Sequence, residues 1–151
     1  MSELSELLTE VDALFGLKSR APDERVDAMS QPFTDLFGIS VPDGLCYLWS
    51  RSDGLWANGL LVYGTHDREL ESGAWILGVL ESNKRLLDSV HEIDSPMRFV
   101  GDVDDQLLGY DTDEGTWKLV DRTSWAPDSS DDVFHSFDAL LIHVLRRALN
   151  P

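Results

Sequence analysis

Apolar residues at the start of the chain recur at helical spacing. Leu4, Leu7, Leu8, Val11, Leu14 and Phe15 share a face, with Ser2 placed as a cap and Gly16 as a stop, so an amphipathic helix is expected. Residues 18–22 read as a short connection. Pro22, Asp23 and Glu24 then open a second helical stretch with Val26 and Met29 inward. Pro32 should interrupt it, because a mid-helix proline removes one hydrogen bond and clashes with the preceding turn. Phe33, Leu36 and Phe37 follow as an apolar knot before Gly38. Ser40, Pro42 and Asp43 announce a third helix, with Leu45, Leu48 and Trp49 on one face and Asp53-Gly54 as its end.

The period then changes. Residues 59–64, Gly-Leu-Leu-Val-Tyr-Gly, are short, apolar and bounded by glycines, which predicts a buried strand. Residues 65–73 read as a charged loop. From Trp75 onward, Ile76, Val79, Leu80, Leu86, Leu87 and Val90 return to helical spacing, ending near Asp88. Strands are expected at 97–100, 106–110 and 116–120, with Asp111-Thr112-Asp113-Glu114-Gly115 as the hairpin loop between the last two. Residues 121–132, containing Pro127, read as loop. Ser136, Asp138, Leu140, Leu141, Val144, Leu145, Leu149 and the pair Arg146-Arg147 describe a closing helix with its charges matched to the dipole. This order predicts an α+β fold: an antiparallel-dominated sheet flanked by helices. One domain spans residues 1–151, with 1–34 as an N-terminal helical segment and 35–149 as the core.

Composition supports a packed core. A chain of 151 residues, 42% hydrophobic, should bury about 68–70% of its unfolded surface. Charge narrows the function: 28 acidic against 12 basic residues give a net charge of -16. Binding to nucleic acid or an anionic membrane is disfavoured, since both rest on Lys and Arg contacts to phosphates. A cationic protein partner, or solubility alone, remains. The single cysteine, Cys46, lies among Leu45, Tyr47 and Leu48 and is expected to be a buried thiol in a reducing compartment. The acidic N-terminal pattern lacks the features of a signal peptide, and no apolar run reaches membrane-spanning length, so cytoplasmic residence is expected.

Candidate chemistry is sparse. His66, His91, His135 and His143 are scattered and Cys46 stands apart, which does not make a zinc pattern. A triad could be drawn from Cys46 or Ser95 with His91, but packing is the better reading of Cys46, and His143 reads as a satisfied boundary residue. The densest acidic group is Asp102, Asp104, Asp105, Asp111, Asp113 and Glu114, on two turns around one hairpin. It lacks the register of a calcium loop and reads first as solvated turns, then as a protein-binding edge, with a metal site as the remaining alternative. Trp49, Trp75 and Trp117 are expected in the core. Trp56 and Trp125 lie in or beside loops, where a plug is the ordinary role and an interface anchor the functional one. Trp56 and the six acids are therefore the candidate partner-binding residues. No catalytic, cofactor-binding or metal-ligating set is assigned, and oligomeric state is left open.

The stretch Ile39-Ser40-Val41-Pro42-Asp43-Gly44-Leu45-Cys46-Tyr47-Leu48-Trp49, closing with Ser52-Asp53-Gly54-Leu55, resembles the signature of the SUKH superfamily, the Smi/Knr and YrhA-like group. The glycine-bounded strand at 59–64 extends the resemblance. So do Arg98-Phe99-Val100-Gly101-Asp102, Leu108-Gly109-Tyr110-Asp111, the Trp117 strand and the Leu-rich closing helix. Asp53 departs from the more usual Asn before Gly54, and residues 65–73 carry no motif of the group. The resemblance implies an α+β fold and a non-enzymatic role. In bacterial members that role is an immunity protein, which binds a toxin domain stoichiometrically; a basic toxin domain would suit the charge of this chain. The alternatives are a regulatory scaffold and a small metal-dependent hydrolase or nucleotide-metabolising enzyme.

Overall fold

A computed structural model describes residues 2–89, 95–126 and 132–150. Helix α1 (Glu3–Phe15) begins where expected, with the Ser2 hydroxyl accepting the Ser5 amide at 3.1 Å. Its apolar stripe of Leu4, Leu7, Leu8 and Val11 is buried, chiefly against the final helix α5 (Phe137–Leu149). The first residues thus share the main core.

Helix α2 (Asp23–Phe37) overturns the expectation at Pro32, which lies inside it, and the anticipated boundary at 34/35 falls within the same helix. Proline costs about 3 kcal/mol in a helix interior. Burying a phenylalanine returns about 1.5–3 kcal/mol each, and Phe33 and Phe37 stack in the core with ring centroids 4.0 Å apart. The helix continues because both rings must reach the core from one face. Pro32 itself is exposed. Pro32→Ala should therefore stabilise the protein by about 1–2 kcal/mol, the restored helical bond being partly offset by a more flexible unfolded chain. An unchanged or lower urea midpoint would contradict this account.

Helix α3 (Asp43–Arg51) starts after Pro42 with no side-chain cap, so Ser40 does not serve as one. Leu45, Leu48 and Trp49 are fully buried, and the Trp49 indole N–H donates to the Tyr63 carbonyl at 3.0 Å. The short strand β1 (Leu55–Ala57), not anticipated, turns through Asn58-Gly59 into β2 (Leu60–Val62). Both turn residues have positive φ, 49° and 86°, the requirement of the tight hairpin that matches strand twist.

The supposed loop at 65–73 contains β3 (Arg68–Glu69), paired with β4 (Trp75–Ile76) as a separate two-stranded ribbon. Helix α4 (Val79–Asp88) accordingly begins four residues later than the periodicity of Trp75 and Ile76 suggested. Gly78 fixes this start. Its N–H donates to the Asp67 carboxylate at 2.8 Å, and a Cβ there would lie 2.5 Å from the His66 backbone. Val90 lies outside the described residues.

The remaining strands are β5 (Met97–Val103), β6 (Gln106–Asp111), β7 (Thr116–Asp121) and β8 (Val133–Phe134). They complete a six-stranded antiparallel sheet of order β1-β2-β5-β6-β7-β8. The expected loop at 121–132 is followed by β8, and its central part, 127–131, is outside the described residues. Helix α5, capped by the Ser136 hydroxyl, packs on β2, β7 and β8 with α1 and α3 beside it, while α4 packs on β5. The fold is α+β, as its element order implied.

One contact fastens α4 to the sheet. Strand β2 reaches only residues 101–103 of β5, and beyond that point Asn83 of α4 takes its place. The Asn83 Nδ2 donates to the Phe99 and Val79 carbonyls, and its Oδ1 accepts the Phe99 amide, each at 2.7 Å.

Candidate functional site

The six acidic residues do not form one surface. The β5–β6 turn carries Asp104 and Asp105, and the β6–β7 turn carries Asp113 and Glu114, so the six residues of β6 separate them by roughly 17 Å. Four of the six are engaged internally. Asp102 meets Arg122 at 3.1 Å, Asp104 meets Arg147 at 3.1 Å, and Lys118 lies 3.1 Å from Asp111 and 2.9 Å from Glu114. Burial pushes the Asp102 carboxyl above the usual carboxylate range, against the pull of Arg122. Asp111 is buried and also accepts the amides of Asp113 and Glu114, which makes it a turn-forming residue. Reversing Asp111 to Lys would set two ammonium groups together in the interior, so a charge-reversal test of this surface belongs at Asp105 and Asp113. Those two are exposed, with no ion pair among the described residues.

The aromatic residues sort differently. Trp49 and Trp117 are core residues, and Trp125 is a buried plug whose ring meets Phe99 edge-on at 5.1 Å. Trp75 is not in the core. Because it belongs to the β3–β4 ribbon, it stands 51% exposed beside Trp56, which is 40% exposed on the edge strand β1. The Trp56 indole N–H donates to the Trp75 carbonyl at 3.1 Å, which joins the ribbon to the sheet edge. Glu69 is the register partner of Trp75 and shares its face. Sequence reasoning missed Trp75 and Glu69, because two-residue strands carry no measurable period. The only signal was Gly73, whose N–H closes the ribbon's turn onto the Leu70 carbonyl at 2.9 Å.

Asp53, read from sequence as a helix end and as a departure from the usual Asn before Gly54, is buried and gathers a polar cluster. Its carboxylate accepts the Thr65 amide at 2.7 Å and hydroxyl at 2.9 Å, with Arg68 at 3.3 Å, His66 at 3.7 Å and Arg25 at 3.8 Å. Arg68 also donates to the Asp53 carbonyl. These contacts tie α2, the end of α3 and the β3–β4 ribbon together. Beside α4, a cleft of about 180 Å³ is lined by Tyr63, Leu77, Ser82, Arg85, Asp102 and Arg122, among others. Both guanidiniums are held by carboxylates, Arg85 by Asp67 at 2.6 and 3.1 Å, and that hydrogen bonding keeps the Asp67 carboxyl below the usual range.

Cys46 is half-buried rather than buried. Burial first, then the charges of Asp43 and Asp27, push its thiol above the ordinary range, so it is protonated at neutral pH. The Ser95 hydroxyl accepts the Met97 amide at 3.1 Å, and His91 is outside the described residues. His143 packs its ring 5.1 Å from Phe134. Among the described residues, no three His, Cys, Asp or Glu side chains converge on a metal position, and no helix is long and apolar enough to cross a membrane.

No family model matches the chain. Comparison with curated proteins and with solved structures likewise yields no match.

Proposed function

We propose that the protein binds a cationic protein partner stoichiometrically, and that this partner is a toxin domain which it neutralises in the manner of SUKH immunity proteins. One observation carries the reading: most of the few cations are already neutralised by carboxylates of the chain itself. Eight of the twelve Lys and Arg side chains are paired with carboxylates. Arg98 donates to the main-chain carbonyls of Leu36, Ser95 and Met97. What faces outward is the acidic excess of a chain at -16. Such a field accelerates encounter with a positively charged partner and rejects anionic ones. The α+β fold and the resemblance of residues 39–55 to the SUKH signature support the more specific identity of the partner.

The test is capture of partners on the tagged full chain from its source organism at about 0.15 M and about 1 M salt, followed by co-expression. The expected result is one dominant basic protein held at low salt and released at high salt, whose domain arrests growth alone and not with this protein. A captured domain whose toxicity persists on co-expression would overturn the antidote reading. A divalent ion that raises the melting temperature by several degrees would instead favour the metal-dependent enzyme, since only a ligand of the native state does so.

A further inference from the structure

We infer that Trp56, Trp75 and Glu69 form the ledge on which an arginine-bearing segment of the partner docks. This inference rests on the cationic-partner reading above and supplies the place of contact. Two large aromatic residues, 40% and 51% exposed, are joined where the β3–β4 ribbon meets the sheet edge, the Trp56 indole being bonded to the Trp75 main chain. The Trp56 indole N–H is already satisfied by the Trp75 carbonyl, so its exposed remainder is apolar and π surface.

Glu69 stands directly across from Trp75, within the reach of a cross-strand pair. Glu69 has no ion pair among the described residues. Arg68, the adjacent cation, is directed to Asp53, so it leaves the Glu69 charge unopposed. An exposed ring face beside a free carboxylate matches a guanidinium, which stacks on the first and hydrogen-bonds the second. Trp and Arg are also the residues most often found at the energetic centre of interfaces. A second copy of this chain is a poor occupant, because it would set -16 against -16.

The two acidic turns are the competing location, and an NMR titration of the full-length protein with a hexa-arginine peptide at about 0.05 M salt separates them. The expected result is movement of the Trp56 and Trp75 indole N–H signals and the Glu69 amide, with Trp49 and Trp117 unmoved. Trp75→Ala should weaken binding roughly fivefold and Glu69→Gln about twofold, whereas Asp113→Asn should change it less than either. Both altered ledge residues are exposed, and the buried indole signals report whether each variant is folded. Shifts confined to residues 104–105 and 113–114 would overturn the ledge while leaving the cationic-partner reading intact. Absence of any binding would overturn both.

Discussion

Lys118→Met is expected to cost the fold about 3–5 kcal/mol, the usual price of leaving one member of a buried ion pair alone. Lys118 and Asp111 have side chains only 5% and 3% exposed, and Nζ lies 3.1 Å from the carboxylate. Methionine replaces the aliphatic stem without the charge, so the loss isolates the electrostatic part. Asp111 retains the two turn amides, which keeps the effect below that of a bare buried carboxylate. For a chain of this size the melting temperature should fall on the order of 10 °C. Adding Asp111→Asn to Lys118→Met should recover part of the loss, since no buried charge then remains without its partner and only the exposed Glu114 carboxylate is left unpaired. A loss under about 1 kcal/mol would mean that the pair behaves like an exposed one.

The pH dependence follows from opposite shifts. Burial alone would raise the Asp111 carboxyl, but hydrogen bonds from Lys118 and the Glu114 and Asp113 amides hold it below the usual range. Its contribution is complete above about pH 4 and disappears as the pH falls through the lower folded value. Burial likewise would lower the Lys118 ammonium, yet the bonds to Glu114 and Asp111 hold it above the usual range. That contribution is complete below about pH 10 and is lost as the pH rises through the folded value. The stability difference between wild type and Lys118→Met should therefore be flat from about pH 5 to about pH 9 and shrink beyond either end. Urea titrations across that range measure it directly.

Asn83→Ala is expected to destabilise the protein by about 2–4 kcal/mol, because it strands the N–H and C=O of Phe99 inside the molecule. Asn83 is fully buried, and its amide group meets that one peptide position with a donor and an acceptor together. Few side chains can do so. Asn83→Asp keeps the acceptor for the Phe99 N–H but turns a second oxygen toward the carbonyls of Phe99 and Val79, so it should be at least as damaging as alanine. Amide hydrogen exchange should show Phe99 losing protection in Asn83→Ala, which removes the acceptor of its N–H. An Asn83→Asp protein as stable as the wild type, or Asn83→Ala with Phe99 still protected, would refute this role.

The elements legible in the sequence were those with enough residues to show a period, and the three-residue β2, which its bounding glycines marked. Helices α1 and α5 declared themselves through apolar stripes and serine caps, and the β5–β7 meander through apolar runs around an acidic hairpin loop. Pro32 misled because a local penalty lost to the burial of two phenylalanines, a balance visible only in three dimensions. Trp75 misled because its ribbon is too short to break the apparent helical spacing of its neighbours. At the candidate site, Trp56 and the acidic residues were legible as residue types. Their grouping was not, since closeness along the chain says nothing of a strand's length between two turns. Asp111 and Lys118 show the same limit: seven positions apart, they meet only because β6 and β7 fold back on each other.

The two outermost strands of the sheet, β1 and β8, are three and two residues long. A neighbouring chain adding itself there would gain almost no main-chain ladder before the strand ended, and short edges of this kind guard against runaway edge-to-edge assembly. Complex formation by strand addition is thereby closed at both outer strands. Recognition through side chains is favoured instead, where a single substitution can retune which partner is accepted while the sheet remains unchanged.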